Sequence, residues 1–194
     1  MKTLVVISHP RQDSLTFSAA NEVIKGLKEQ NHEVEILDLY RHDFNPLVFE
    51  EDEPDYSNAE KVYSKKVEDE MERIRNVDSI VFIFPIWWHS IPAMLKGYID
   101  RVFNYGFAYG PNKLPVDKIR WLGFAGDTRE SFKKRGYHLT IEHHLNVGIS
   151  GFVGVDDSEV EILYNTIGKG IDQENTEAHY EDFLKKAYLL GKNM

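Results

Sequence analysis

Two adjacent tryptophans, Trp87 and Trp88, follow the apolar run of residues 80–83 and stand between Pro85 and Pro92. Two large aromatic side chains on so short a loop do not both point into one core. We therefore expect at least one of them to be partly exposed or to line a pocket. A flat aromatic ligand would explain the pair, with backbone N–H groups of the loop hydrogen-bonding the edge of its ring.

The loop of residues 8–14, with the sequence SHPRQDS, follows another short apolar run and leads into a helical pattern. Free backbone N–H groups and the dipole at a helix N-terminus favour an anion. The side chains that can donate hydrogen bonds here are those of Ser8, His9, Arg11, Ser14 and Thr16. Ser14 and Thr16 are also explained as ordinary helix caps, so both interpretations stay open. The loop has no glycine, so neither glycine-rich nucleotide fingerprint applies.

Short apolar runs that alternate with helical patterns predict five strands and the helices between them. The predicted strands cover residues 3–7, 33–39, 79–84, 119–125 and 149–155. The predicted helices cover residues 17–27, a segment after a capping box at Ser57 and Glu60, a segment after Pro92, residues 131–144, and residues 177–190 with Gly191 as C-cap. Residues 40–58 are turn-rich and acidic, and we interpret them as an exposed loop.

This alternation predicts an α/β fold, a doubly wound parallel five-stranded sheet of order 2-1-3-4-5 with helices on both faces. We expect one domain that spans residues 1–194. In such a sheet the ligand crevice lies beyond the C-terminal ends of strands one and three. The loop of residues 8–14 and the tryptophan loop therefore face each other at the predicted crevice.

Composition excludes several classes of function. The net charge of −9 argues against nucleic-acid binding and against docking on anionic lipid. The chain has no cysteine, which excludes disulfides, thiol catalysis and cysteine-ligated metals. No apolar run approaches the length of about 20 residues that spans a bilayer, and the N-terminal run is too short for a signal peptide. We expect no membrane insertion and a cytoplasmic protein.

No metal site is predicted. His143 and His144, beside Glu142, are the only residues with a ligand-like arrangement. Adjacent positions on a helix point about 100° apart, so their side chains do not converge.

Residues 84–110, FPIWWHSIPAMLKGYIDRVFNYGFAYG, resemble the flavin-binding segment of the NAD(P)H:quinone oxidoreductase (DT-diaphorase-like) family of flavodoxin-fold flavoproteins. Residues 8–18 resemble the first phosphate loop of that family, and residues 37–47, LDLYRHDFNPL, resemble its strand-two exit. The segment YNTIG at 164–168 is a weaker match to the longer, FAD-binding members. The resemblance implies a flavodoxin-like fold, a tightly held FAD with FMN as the alternative, NAD(P)H as hydride donor, and a homodimer.

The resemblance also implies roles for particular residues. The expected cofactor-binding residues are His9, Arg11, Ser14, Leu15, Thr16, Pro85, Ile86, Trp87, Trp88, His89, Ala125, Gly126 and Asp127. The expected substrate-binding residues are Trp88, His89 and Tyr109, the last in the pocket of the partner subunit. Tyr137 and His138 are candidates for the catalytic residues that stabilise reduced flavin. Asp127 stands where the family commonly has glycine, which would narrow the substrate slot or add charge to it.

The expected activity is ping-pong hydride transfer from NAD(P)H through flavin N5 to a flat acceptor. Quinone is preferred on the resemblance, while azo and nitro compounds also suit a flat slot. One alternative is a flavin-bearing regulatory or partner subunit of a potassium-efflux-type transporter with weak reductase activity. Another is a flavodoxin-type one-electron shuttle.

The helix after Pro92 has apolar residues at 94, 95, 98, 99, 102 and 103, a stripe wider than one sheet face needs. Two explanations stay open. The helix is fully buried in a monomer, or its second face meets its twin across a two-fold axis.

Overall fold

A parallel sheet of five strands runs through the middle of the molecule, and the computed structural model describes all of residues 1–194. The strands are β1 (Lys2–Ile7), β2 (Glu33–Asp38), β3 (Ser79–Pro85), β4 (Lys118–Ala125) and β5 (Asp157–Tyr164). They lie in the order β2-β1-β3-β4-β5, and every neighbouring pair is parallel. This order confirms the predicted doubly wound α/β fold.

Helices cover both faces of the sheet. They are α1 (Leu15–Glu29), α2 (Lys65–Arg75), α3 (Ala93–Val102), α4 (Arg129–Arg135), α5 (Tyr137–His143) and α6 (Thr176–Lys192). Alternate residues of β1 enter different cores, because successive side chains of a strand point to opposite faces. Val5 and Ile7 pack with α1 and α6, whereas Leu4 and Val6 pack with α2 and α3. No helix combines the length and the apolar character that a membrane span requires.

The predicted range of the fifth strand is wrong. The apolar run of residues 149–155 is not a strand, because residues 144–151 form a π-helical segment and 152–154 a turn. The true β5, Asp157–Tyr164, is an edge strand on which Asp157, Glu159 and Glu161 are exposed. Charged residues on an edge strand hide the apolar pattern by which a buried parallel strand is recognised.

Three predictions about the helices are also wrong. Ser57 and Glu60 lie in turns and form no capping box, because α2 begins only after Ser64. Gly191 does not end α6, which continues to Lys192. A Cβ at Gly191 would lie 2.1 Å from the carbonyl oxygen of Val23, so this glycine allows the close crossing of α6 over α1. The predicted helix of 131–144 is divided into α4 and α5 at Gly136, which has a φ of 72°.

The apolar stripe of α3 is buried by the rest of its own chain. Leu95, Tyr98 and Val102 have no exposed surface, and Ile99 and Phe103 are nearly as buried. Apart from the half-buried Met94, the stripe is therefore covered by its own chain, which supports the explanation that does not need a second copy.

The acidic loop before α2 is anchored by a buried ion pair rather than being wholly exposed. Asp52 is 0% exposed and accepts hydrogen bonds from Arg101 of α3, with Nε at 3.1 Å, and from the backbone N–H of Ser64. The Arg101 guanidinium lies near the rings of Phe44 and Phe49. Burial alone raises the pKa of the Asp52 carboxyl, but the hydrogen bonds from Arg101 and Ser64 outweigh it and lower the pKa below its ordinary value.

Candidate functional site

The tryptophan loop is a two-residue turn at the C-terminal end of β3. Trp87 and Ser90 exchange both backbone hydrogen bonds, each 3.1 Å long. Trp88 and His89 occupy the tip with φ values of 52° and 57°, which is the pattern of a type I′ turn. Trp87 is 44% exposed and Trp88 is 96% exposed, so the expectation that at least one tryptophan is exposed is confirmed.

The backbone of this turn is strained. A type I′ turn favours glycine and asparagine at its tip, because other side chains are crowded by the backbone in the left-handed region. Here a tryptophan and a histidine take both positions. The backbone N–H groups of Trp88 and His89 have no acceptor in the chain. Strain of this kind persists mostly where function requires it, so the turn is a candidate binding element.

Replacing Trp88 by glycine is expected to stabilise the protein by about 1 kcal/mol, because glycine adopts the left-handed conformation without the cost of a side chain. The indole is almost fully exposed, so little packing is lost. Trp88→Ala is the matched control, since it removes the indole but keeps the strained backbone. Urea unfolding of both variants checks the prediction, and a Trp88→Gly protein less stable than Trp88→Ala would contradict it.

The loop after β1 presents unused hydrogen-bond donors at the start of α1. The backbone N–H groups of Leu15 and Thr16 have no acceptor in the chain, while Ser14 caps the helix by accepting from Phe17 N–H at 3.4 Å. The hydroxyl of Ser8 is buried without a partner, and the residue is only 1% exposed. The two N–H groups at the start of α1 favour an anion, and the Ser8 hydroxyl is a further polar group without a partner at the end of β1.

Arg41 holds the loop after β1 in place. Its guanidinium donates to the carbonyl oxygens of His9 and Pro10 and to the carboxylate of Asp38 at the end of β2. Arg11, by contrast, is exposed and pairs with Asp13 at 3.3 Å. The side chain of Arg11, a predicted cofactor residue, therefore forms no contact with the start of α1. Arg41, which was not predicted as a site residue, instead holds the loop by its hydrogen bonds.

The loop after β4 is joined to the loop after β5. Asn165 N–H donates to the carbonyl oxygen of Asp127, and Thr166 N–H donates to that of Ala125. The backbone N–H groups of Gly126 and Asp127 have no acceptor in the chain. Ile167, 72% exposed, lies beside Gly126, since a Cβ at the glycine would be 3.5 Å from Ile167 Cγ2.

Asp127 remains ionised at the mouth of this loop. Its pKa is lowered by hydrogen bonds from Ser131 and the Thr128 N–H, and further by the nearby charges of Lys169 and Arg135. The carboxylate is partly exposed and lies 4.0 Å from the Lys169 ammonium group. The negative charge expected from the sequence is therefore present but partly balanced.

The loop after β1 lies near the turn after β3, and residues of α4 and α5 pack against that turn. The imidazole of His9 and the indole of Trp87 have centroids 6.4 Å apart. The imidazole of His89 stacks on the Tyr137 ring at 3.6 Å and meets the edge of Phe132 at 5.5 Å. Pro85 and Ala125 are buried at the ends of β3 and β4, and Ile86 N–H bonds to the carbonyl oxygen of Phe124 between them.

The two candidate catalytic residues differ in their surroundings. Tyr137 packs on His89 and so supports the turn. His138 has a buried Nδ1 atom without a hydrogen-bond partner in the chain. Of the two, only His138 retains an unused polar atom in the interior.

Tyr109 belongs to a separate aromatic cluster. Its ring packs against Tyr105 and Phe152, with centroids 5.7 and 5.2 Å away, and not against the rings of the turn. Burial and a hydrogen bond with Tyr56 raise the pKa of Tyr109. The structure therefore does not bring this predicted substrate residue to the loops within one chain.

Comparison with known proteins places the chain among flavodoxin-like proteins. The family described as having a flavodoxin-like fold matches residues 1–187. An uncharacterized NAD(P)H oxidoreductase of Escherichia coli strain K12, YcaK, is 42% identical over 181 residues, which cover 93% of this chain and 91% of the relative.

Two solved structures extend the comparison. An NAD(P)H:quinone oxidoreductase from Methanothermobacter marburgensis has a TM-score of 0.87 and 30% identity over 100% of this chain and 95% of its own. An FMN-dependent NADH-azoreductase from Bacillus anthracis, in complex with FMN, has a TM-score of 0.67 at 19% identity over 98% of this chain and 99% of its own, and shares the fold. These matches confirm the family resemblance seen in the sequence. The chain thus belongs to the family with the flavodoxin-like fold, and it is similar to NAD(P)H oxidoreductases and quinone oxidoreductases.

Proposed function

We propose that the protein is a flavin-dependent NAD(P)H oxidoreductase that reduces quinones or similar flat aromatic acceptors. The observation that carries the proposal is a set of six unpaired backbone N–H groups: two at the start of α1, two at the tip of the turn after β3, and two on the loop after β4. All six follow the C-terminal ends of neighbouring strands, at the switch point of the sheet where this topology places its ligands.

The donor set fits a flavin. The N–H groups of Leu15 and Thr16, with the Ser8 hydroxyl, suit a phosphate. The N–H groups of the turn and of the β4 loop suit the carbonyl oxygens and ring nitrogens of an isoalloxazine. When bound, a flavin supplies two-electron chemistry between a dihydronicotinamide and a flat acceptor, which no side chain here supplies.

In this proposal the residues of the chain bind and orient the flavin. Trp88 and His89 offer ring faces next to the slot, and Gly126 leaves it open on the side of β4. His138 is the residue we propose to stabilise negative charge on the reduced ring, because its Nδ1 has no other partner. Tyr137 acts through His89, on which it stacks.

We favour FAD as the cofactor, with FMN as the alternative, because the YNTIG segment, which places Ile167 beside Gly126, resembles the longer, FAD-binding members of the family. We also propose that two chains form the working unit. Leu139 of α5, Val147 of the π-helical segment and Phe152 of the turn that follows are exposed apolar side chains. Tyr109, which packs on Phe152, would reach the site of the partner.

Anaerobic stopped-flow mixing with NADH and with NADPH, followed by 1,4-benzoquinone, tests the proposed activity. We expect the visible absorption of the bound flavin to be lost when the donor is added and restored by the quinone. Steady-state rates measured at several concentrations of both substrates should give parallel lines in double-reciprocal plots. A flavin-loaded protein that neither donor reduces would contradict the proposal. Slow reduction together with co-purification of a transport protein would instead favour the partner-subunit alternative.

Replacing Ser8 by alanine is expected to weaken FMN binding about tenfold while leaving riboflavin binding within about twofold, because a hydrogen bond to a charged phosphate is lost and riboflavin has no phosphate. Fluorescence titration of the apoprotein with the two flavins measures this difference. Ser18→Ala, which removes a hydroxyl on the exposed side of α1, is the control. Equal effects on FMN and riboflavin would rule out the phosphate role.

A further inference from the structure

A cavity of about 260 Å³ opens beside the strained turn, between the turn, α5 and the start of the π-helical segment. It is lined by His89, Ser90, Ile91, Thr140, Ile141, His144 and Leu145. None of these residues is acidic, so the cavity has no carboxylate in its wall. His89 belongs both to this cavity and to the turn that we propose holds the flavin, which makes the two spaces neighbours.

Two histidine side chains of the cavity, His89 and His144, form no hydrogen bond within the chain. Both imidazoles are exposed and form no ion pair, and His138 and His143 likewise form no hydrogen bond, whereas the histidines at positions 9, 32, 42 and 179 do. The Thr140 hydroxyl is occupied, because it donates to the carbonyl oxygen of Gly136. Apolar walls with two free imidazoles are the lining expected of a pocket for a small aromatic molecule with hydrogen-bond acceptors.

The backbone at His144 points to the same conclusion. His144 begins a π-helical segment of eight residues, and such segments are rare and frequently lie at functional sites. Gly148 lies one turn further on, and a Cβ there would be 3.4 Å from His144 Nδ1. This is an ordinary van der Waals distance, so Gly148 and the His144 imidazole pack side by side along the π-helical turn.

We propose that this cavity binds an acidic substituent on the electron acceptor, so that the preferred acceptors are quinones or related aromatics that carry an enolate, phenolate or carboxylate group. This inference rests on the proposed function. Imidazole N–H groups donate to the oxyanion, and no carboxylate in the wall opposes it. The overall reaction is NAD(P)H plus a proton plus quinone giving NAD(P)+ plus hydroquinone. The donor supplies both electrons and one proton as hydride, and solvent supplies the second proton.

Two naphthoquinones that differ by one acidic group test the proposal. 1,4-Naphthoquinone is neutral, whereas 2-hydroxy-1,4-naphthoquinone is an enolate at neutral pH. We expect His144→Leu to raise the KM of the hydroxylated compound relative to that of the parent by about tenfold, the size expected for a lost hydrogen bond to a charged group. His143→Leu is the matched control, because His143 is exposed next to His144 but does not line the cavity.

Binding without turnover gives a second readout. Quenching of tryptophan fluorescence in the oxidised protein measures the Kd of each quinone, and the ratio of the two Kd values should change by the same factor in His144→Leu. A ratio that stays at the wild-type value in both measurements would overturn the inference. Loss of turnover with every acceptor in the wild-type protein would instead contradict the proposed function, and the binding measurement would still decide the role of the cavity.

Discussion

Replacing Gly126 by tryptophan is expected to weaken flavin binding at least about 100-fold, equivalent to about 2.7 kcal/mol, while the protein still folds. Gly126 is partly exposed and does not have the left-handed backbone that excludes side chains. A Cβ at this position would meet only Ile167, at an ordinary contact distance of 3.5 Å. An indole would therefore extend into the slot that we propose for the ring rather than into the core.

Gly126→Ala is the control for this prediction, because a single methyl group fits the observed space and should leave flavin affinity within a few-fold of the wild type. Flavin titration measures affinity, and urea unfolding of the apoprotein measures stability. Unchanged flavin affinity in Gly126→Trp would mean that the β4 loop is not part of the site. A large loss of stability would mean that Gly126 has a structural role instead.

Removing the carboxylate of Asp52 is expected to destabilise the protein by about 3–5 kcal/mol, because Asp52→Ala leaves the buried Arg101 guanidinium without its counter-ion. The same change frees the acidic loop from α3, since Ser64 also bonds to this carboxylate. Glu51→Ala is the matched control, because Glu51 is the exposed neighbour of Asp52 in the short 3₁₀-helix Glu50–Asp52 and should change the free energy of unfolding by less than about 0.5 kcal/mol.

The stabilisation by Asp52 should depend on pH. Its folded-state pKa lies below the ordinary value, so the folded protein holds the carboxylate ionised more strongly than the unfolded chain does. The contribution is therefore fully present above the unfolded pKa of about 3.9 and is lost as the pH falls through the folded-state pKa. Urea unfolding of the wild type and of Asp52→Ala between pH 7 and pH 3 should show the difference in stability shrinking towards the acid end. A difference in unfolding free energy that stays constant over this pH range would contradict the role of the ionised Asp52 carboxylate.

Local sequence pattern was sufficient for most of the fold. The buried strands β1 and β3 are continuous apolar runs, and the sheet order follows from their alternation with helices. The pattern failed at β5, where exposed charges on an edge strand hid the strand while a nearby apolar run belonged to a π-helical segment. It also failed at Gly191, whose role depends on Val23 far away in the chain.

The sequence predicts those features of the candidate site that follow from the position of a loop after a strand. It does not predict the features that arise from contacts between different loops. The exposure of Trp88 followed from two tryptophans on a short loop. The left-handed turn has no sequence signal, because tryptophan and histidine replace the glycine and asparagine that usually mark such a turn. The burial of Asp52 and the approach of Ile167 to Gly126 are set by residues distant in sequence, so no local pattern marks them. The only signal for Ile167 was the weak match of the YNTIG segment.

Titration of the purified apoprotein with FAD and with FMN tests the central claim most directly, because it asks whether the three strand-end loops hold a flavin. Flavin fluorescence and absorption, with mass identification of the cofactor that co-purifies, give both stoichiometry and identity. We predict one flavin per chain, bound by the wild type and by Gly126→Ala, and bound at least about 100-fold more weakly by Gly126→Trp. A wild-type protein that binds neither flavin, or that binds one equally well with tryptophan at position 126, would contradict the account.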